Sequence, residues 1–187
     1  MPASQPPDDL VHFRAIPWCA ELLSSPEYVL TSTFSRHPKP RNEDSLFAHT
    51  LNSAHTIPHI QSLYRRPTPP ETFVSELLTL VTLSTGLNGG PDALHGGIIA
   101  TLMDDVKGLL LTVNTTDAGE PLSASAVTAR MEVRFERRVP TPGTYVVGAR
   151  CTRREGRKIW LEGWIMDGEG RRCASSESLW VFVKARL

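Results

Sequence analysis

The clearest pattern in the chain is a change of period. Met131, Val133 and Phe135 alternate with Arg130, Glu132, Arg134 and Glu136, which predicts a strand with one buried face. Three more strand patterns follow, over 145–152, 158–166 and 172–183, set apart by Pro140-Thr141-Pro142-Gly143, Arg153-Arg154-Glu155-Gly156 and Asp167-Gly168-Glu169-Gly170. Such short Pro- and Gly-containing clusters predict hairpin turns. Upstream the spacing is three and four: Ile99, Leu102, Met103, Val106, Leu109 and Leu110 form one broad apolar stripe and predict a helix over 95–113. A Leu-, Val- and Thr-rich strand over 72–85 precedes it, closed by Gly86-Leu87-Asn88-Gly89-Gly90-Pro91. One long helix followed by hairpin-linked strands predicts an α+β layout, an antiparallel sheet wrapped around one central helix.

Before residue 71 the periodicity is poor and Pro, His and Ser punctuate the chain. We divide it into an N-terminal extension, 1–70, and a main unit, 71–187. Two short helices are predicted in the extension, around 18–23 and 44–52, with Asn42 as N-cap of the second ahead of Glu43 and Asp44. The 158–166 strand is apolar on both faces, Trp160 and Trp164 on one, Ile159, Leu161 and Ile165 on the other. A sheet on a helix needs only one such face. The second face predicts either a subunit contact, in a homodimer or dimer of dimers, or cover from the extension, whose Trp18, Leu22, Leu23, Phe47, Leu51 and Leu63 need somewhere to dock. Both readings stay open.

Candidate chemistry sits where the helix begins. His95-Gly96-Gly97 opens it, and Asp104 follows on the same helix with Ala100, Thr101, Lys107 and Gly108 as its neighbours at three and four positions. The first N–H groups of a helix lack partners within it and suit an anion or a developing oxyanion, and glycine lets a ligand reach them. A carboxylate on the same helix then offers base or nucleophile chemistry. The competing reading of the same pattern is a buried helix with a glycine turn before it and a solvated Asp104-Asp105 edge. For His95, a hydrogen-bonding role at the helix start is favoured over that of catalytic base.

These residues resemble the hotdog-fold acyl-CoA thioesterases of the PaaI-like superfamily: the His-Gly-Gly signature, the Asp at the same offset on the helix, and the run of strands behind it, from about residue 72 onward. The extension, with Ile16-Pro17-Trp18-Cys19 and Thr50-Leu51-Asn52, looks like that of fungal members. The resemblance implies a hotdog fold and hydrolysis of an acyl-CoA or acyl-carrier thioester. It implies Asp104 as general base or nucleophile, and the Gly96 or Gly97 backbone N–H as the donor that polarises the carbonyl. Family members also use an Asn before the signature, here nearest to Asn88 although its segment is one residue out of step, and a hydroxyl on the next strand, here Thr128, with Ser125 second. Their active site is built between two subunits, and no cofactor is implied beyond the substrate's own coenzyme A. Among the basic residues near strand ends, Arg137, Arg138, Arg153 and Lys158 are the candidates for the coenzyme A phosphates; edge protection is the competing role. Lys107 departs from the family pattern of a small or apolar residue, and either pairs with Asp104 or points to solvent. A dehydratase, isomerase or cyclase acting on an acyl or polyketide-like substrate, or a non-catalytic acyl-binding protein, remains open on such a scaffold.

Composition narrows the field. The chain has 187 residues, enough for one sizeable core, with 20 Lys plus Arg against 20 Asp plus Glu, so no global basic field favours nucleic acid. Cys19, Cys151 and Cys173 are far apart and odd in number, which argues against a disulfide scaffold and for a reducing compartment. No nucleophile elbow, P-loop or dinucleotide fingerprint occurs. His55 and His59 are interrupted by Pro58, so no metal site is expected. The first residues, from Met1 to Asp9, carry acids and no apolar signal core, and no apolar run is long enough to span a membrane. A cytoplasmic or mitochondrial location is expected.

Overall fold

The computed structural model describes residues 8–116 and 118–183; the stretch used above to judge an N-terminal signal lies largely outside them. In chain order the main elements are α1 (Asp9–Arg14), α2 (Pro17–Ser24), β1 (Tyr28–Thr31), β2 (His59–Arg65), β3 (Glu76–Leu83), β4 (Asn88–Gly90), β5 (Ala93–Leu94), α3 (Gly96–Thr112), β6 (Ala126–Phe135), β7 (Gly143–Glu155), β8 (Lys158–Met166) and β9 (Arg172–Phe182). Seven strands form one antiparallel sheet in the order β1-β2-β3-β7-β8-β9-β6. The hairpins β7–β8 and β8–β9 arise where the turn clusters predicted them, and Gly156 and Gly170 take left-handed φ values of 53° and 75° there. The helix α3 lies against the inner face, with Ile99, Leu102, Met103, Val106, Leu109 and Leu110 all buried. Strand β8 shows the alternation plainly: Ile159, Leu161 and Ile165 face α3 and are buried in the main core.

The extension contributes two strands to the sheet, which the sequence pattern did not reveal. Strand β2 lies between β1 and β3, and Ile60, Ser62 and Leu63 are all buried, so it lacks the alternation that marks a half-exposed strand. Helix α2 forms where one was predicted. The second predicted helix shortens to a π-helical turn, Leu46–Thr50, and Asn42 adopts a left-handed φ of 65° instead of capping it; the Ser45 hydroxyl donates to the Asn42 carbonyl. Arg36 holds this segment in place, donating to the carbonyls of Phe47, Leu51 and Ile57 at 3.3, 3.1 and 2.9 Å. No described helix is long and apolar enough to cross a membrane.

A second apolar cluster covers the outer face of the sheet: Phe13, Cys19, Leu63, Leu78, Leu80 and Val146 are its buried members, and Trp18, Leu22, Tyr28, Trp164 and Met166 pack around it. Of the two open readings for the Trp face of β8, cover from the extension therefore accounts for Trp164. Trp160 instead lies under the Arg153 guanidinium, 4.3 Å from its ring centre. Helix α1 is further tied down by His12, whose Nε2 lies 2.8 Å from the Thr82 hydroxyl and whose ring stacks on His59. Beneath α2, the buried Glu76 carboxylate accepts from the Tyr28 hydroxyl and from Arg150, joining β1, β3 and β7.

Because Phe13 is fully buried in this outer cluster, Phe13→Ala is expected to lower the free energy of unfolding by about 3–5 kcal/mol, read as a shift of the denaturant midpoint. A loss below about 1 kcal/mol would make α1 peripheral to the fold.

Candidate active site

The start of α3 is built by the short hairpin before it. The His95 N–H donates to the Leu87 carbonyl at 2.9 Å, and the Leu94 N–H to the Val139 carbonyl at 2.9 Å. Gly89 in β4 lies so close to His95 that a Cβ there would sit 2.8 Å from the imidazole. His95 is the N-cap: its Nδ1 accepts from the Gly97 N–H at 2.9 Å, while its carbonyl takes the N–H groups of Ile98 and Ile99. This separates two residues that the sequence left equivalent. The Gly97 N–H is already used, whereas the Gly96 N–H has no acceptor among the described residues. The Phe135 ring, 60% exposed at the end of β6, stands beside it; a Cβ on Gly96 would lie 3.4 Å from two ring carbons. The sequence predicted a buried face for this strand, but Met131 and Val133 are only half-buried and Phe135 is exposed, because an edge strand keeps the alternating pattern without the burial.

Two turns along, Asp104 accepts a hydrogen bond from the Thr128 hydroxyl on β6 at 2.8 Å. The strand hydroxyl nearest to the acid is thus Thr128. Asp105 turns the other way, toward the extension, and accepts from Ser35 at 3.0 Å; burial pushes its carboxyl up to about 7. The adjacent acids do not form one solvated edge. Asn88 lies in β4 opposite Leu94, beside the helix start, and its side-chain oxygen accepts from Thr141.

Lys107 takes neither of its two expected courses. It is fully buried, and its Nζ donates to the Ser176 hydroxyl of β9 at 2.7 Å. Gly163 of β8 makes the room: a Cβ there would lie 2.8 Å from Lys107 Cε and 2.8 Å from Ser176 Oγ. Burial holds the ammonium down to about 8, opposed by the attraction of Asp104. The only sequence hint was the small residue at 163, legible once β8 is known to lie under the helix.

The four basic residues considered for phosphate fall into two groups. Arg137 and Arg138 follow the Phe135 end of β6 after Glu136, and Arg138 donates to the Pro91 carbonyl. Arg153, paired with Glu155, and Lys158 lie at the β7–β8 hairpin, where they line a groove of about 400 Å³ with Arg157 and Trp160. Lys158 pairs with Val181, which pairs with Val127 at the other end of β6. The ten residues of β6 separate the two groups by roughly 25–30 Å, so within one chain they do not converge on one phosphate.

Residues 92–174 match the family model of the thioesterase superfamily. The match spans the helix α3 and the strands that follow it, into β9. Verlamelin biosynthesis protein B of a Lecanicillium species is 28% identical over 172 residues, covering 75% of this chain and 73% of that protein. The hotdog fold is shared with zebra fish thioesterase superfamily member 2, at a TM-score of 0.54 and 14% identity over 66% of this chain and 81% of that one. It is shared also with a hypothetical thioesterase protein of Streptococcus pneumoniae solved with coenzyme A, at a TM-score of 0.51 and 14% identity over 63% and 89% of the two chains. The region that matches the thioesterase superfamily model contains α3, β6, β7 and β8, and with them Gly96, Asp104 and Thr128.

The lowered Lys107 value has a thermodynamic consequence. Between its folded value of about 8 and the ordinary 10.5, the unfolded chain binds more protons than the folded one, so stability rises with pH across that window and is fully penalised below it. Lys107→Met removes the penalty. The variant is expected to melt above wild type at pH 7, by the equivalent of about 1–4 kcal/mol, with the gap shrinking toward pH 10. A gap that is the same at both pH values would contradict a buried charge.

Proposed function

We propose that the protein hydrolyses an acyl-CoA thioester in a homodimer whose sites each combine two chains. The thioester carbonyl docks on the Gly96 N–H; Asp104, held by Thr128, acts as nucleophile or as the base that activates water. The observation that carries this reading is the pair of functional groups on α3: one unpartnered N–H at its start and one carboxylate aimed at β6. The match to the superfamily model and the coenzyme A complex of a structural neighbour support the substrate class.

The helix itself supports the shared site. Gly96 and Asp104 are eight residues apart, about 12 Å along the axis, too far for one carbonyl to meet both. Strand β6 is an edge of the sheet, ten residues long and largely exposed, with Val127 and Phe135 47% and 60% accessible; an uncovered edge of this kind is a template for pairing with another strand. Antiparallel pairing of two β6 strands about a twofold axis lays the Thr128 end of one copy beside the Phe135 end of the other. Asp104 of one chain then meets Gly96 of its partner. The same operation carries the 153–158 hairpin of one copy toward Arg137 and Arg138 of the other, so the two basic groups serve one coenzyme A.

Thiol release from short, aromatic and long acyl-CoAs tests the reading. Asp104→Asn is expected to lower kcat by about a hundredfold or more. Gly96→Pro removes the single N–H at issue: proline is favoured at the first helical position, and His95, at φ −64° and ψ 134°, already has the extended geometry that precedes proline. Its expected effect is a loss of about 10²–10³ in kcat with the melting temperature unchanged. Undiminished release by either variant would remove that group from the mechanism, and turnover of a non-thioester acyl ligand alone would move the protein to another reaction class.

A further inference from the structure

Lys107 is the one buried cation next to the proposed chemistry that the mechanism above leaves unused. It is three residues from Asp104, on the same helix, and fully enclosed. Its ammonium has one hydrogen-bond acceptor among the described residues, Ser176, and two strands make way for it: β8 with a glycine in place of a side chain, β9 with a small hydroxyl. The groups packed around it are otherwise uncharged. On β8 and β9 the acids nearest in sequence, Glu162 and Glu177, are exposed on the opposite face of the sheet. The inward residues of β7, Val147 and Ala149, are apolar. Among the charged groups, Asp104 is the one whose attraction opposes the effect of burial on the ammonium.

A buried, sparsely bonded charge costs stability, and here its cavity is kept open at a glycine. We propose that Lys107 is a positioning residue for Asp104, its positive charge offsetting the carboxylate from behind so that the negative charge of the tetrahedral intermediate can form in front. This inference rests on the thioesterase reading above. An oxyanion growing within a few ångströms of a bare carboxylate is opposed by it, strongly so in a site closed to water. With the ammonium behind the acid, the resting site is close to neutral and the new charge, held by the Gly96 N–H, is the only uncompensated one. The support exists while Lys107 is protonated and is lost as it gives up its proton, which its burial brings to about pH 8.

The test is the pH dependence of kcat and KM between pH 6 and 10 for wild type, Lys107→Met and Ser176→Ala, with melting curves to confirm folding. Wild-type kcat is expected to fall on the alkaline side with a midpoint near 8. Lys107→Met is expected to lose about tenfold in kcat at neutral pH, to keep its KM, and to lack the alkaline limb. Ser176→Ala leaves the amine but removes its hydrogen bond, which favours the charged form, so its alkaline limb is expected at lower pH; this arm decides the question if Lys107→Met does not fold. An alkaline limb unchanged in a folded variant overturns the inference while leaving the hydrolase reading intact. A wild type that cleaves no thioester at any pH overturns both.

Discussion

The rise of an α-helix, about 1.5 Å per residue, is the constraint on which the account depends. It sets the backbone positions of Gly96 and Asp104 about 12 Å apart along the axis, which in the proposed mechanism is too far for one carbonyl to meet both groups within one chain. The buried stripe of α3 and its contacts with β3, β7 and β8 allow no slack in that spacing. In the proposed dimer, a second helix brought in by pairing at the uncovered β6 edge closes the distance. On that proposal the fold sets both what the site contains and how many chains complete it.

Much of this was legible in the sequence where the periodicity was clean. The α3 stripe and the alternation from Met131 to Phe135 predicted their elements closely, and the glycine-rich turns placed the hairpins. The same patterns failed where burial is two-sided: Ile60, Ser62 and Leu63 of β2 are all enclosed, so nothing alternates and the extension read as lacking strands. Around the candidate site, His95, Gly96 and Asp104 were named from the sequence and Thr128 from the resemblance, but their hydrogen bonding was not legible. That His95 takes the Gly97 N–H and leaves the Gly96 N–H unpartnered depends on an imidazole orientation that spacing does not carry. Lys107 was misread for a similar reason. A lysine on a helix is expected to reach solvent or a nearby acid, and only the clearance at Gly163 and the hydroxyl at Ser176 make burial the alternative.

The two acids at 104 and 105 show how little sequence adjacency means on a helix. One faces β6 and a threonine; the other is enclosed against Ser35 with its carboxyl shifted up to about 7. The extension that encloses Asp105 also supplies β1, β2 and the outer cluster over Trp164. Its effect on the site is indirect: it braces the back of α3 and the outer face of the sheet, and leaves the β6 edge uncovered. One face of the sheet is thus covered within the chain while the β6 edge stays open, which follows from where the apolar residues of the extension fall.

The claim that the site is shared between chains is tested most directly by mixing. Asp104→Asn and Gly96→Pro subunits, each inactive alone, are unfolded together in equal amounts, refolded, and assayed for thiol release. Random pairing puts half of the dimers in the mixed form, each with one intact site, so activity should recover to about a quarter of the wild-type level. A mixture as inactive as its two components would contradict the account.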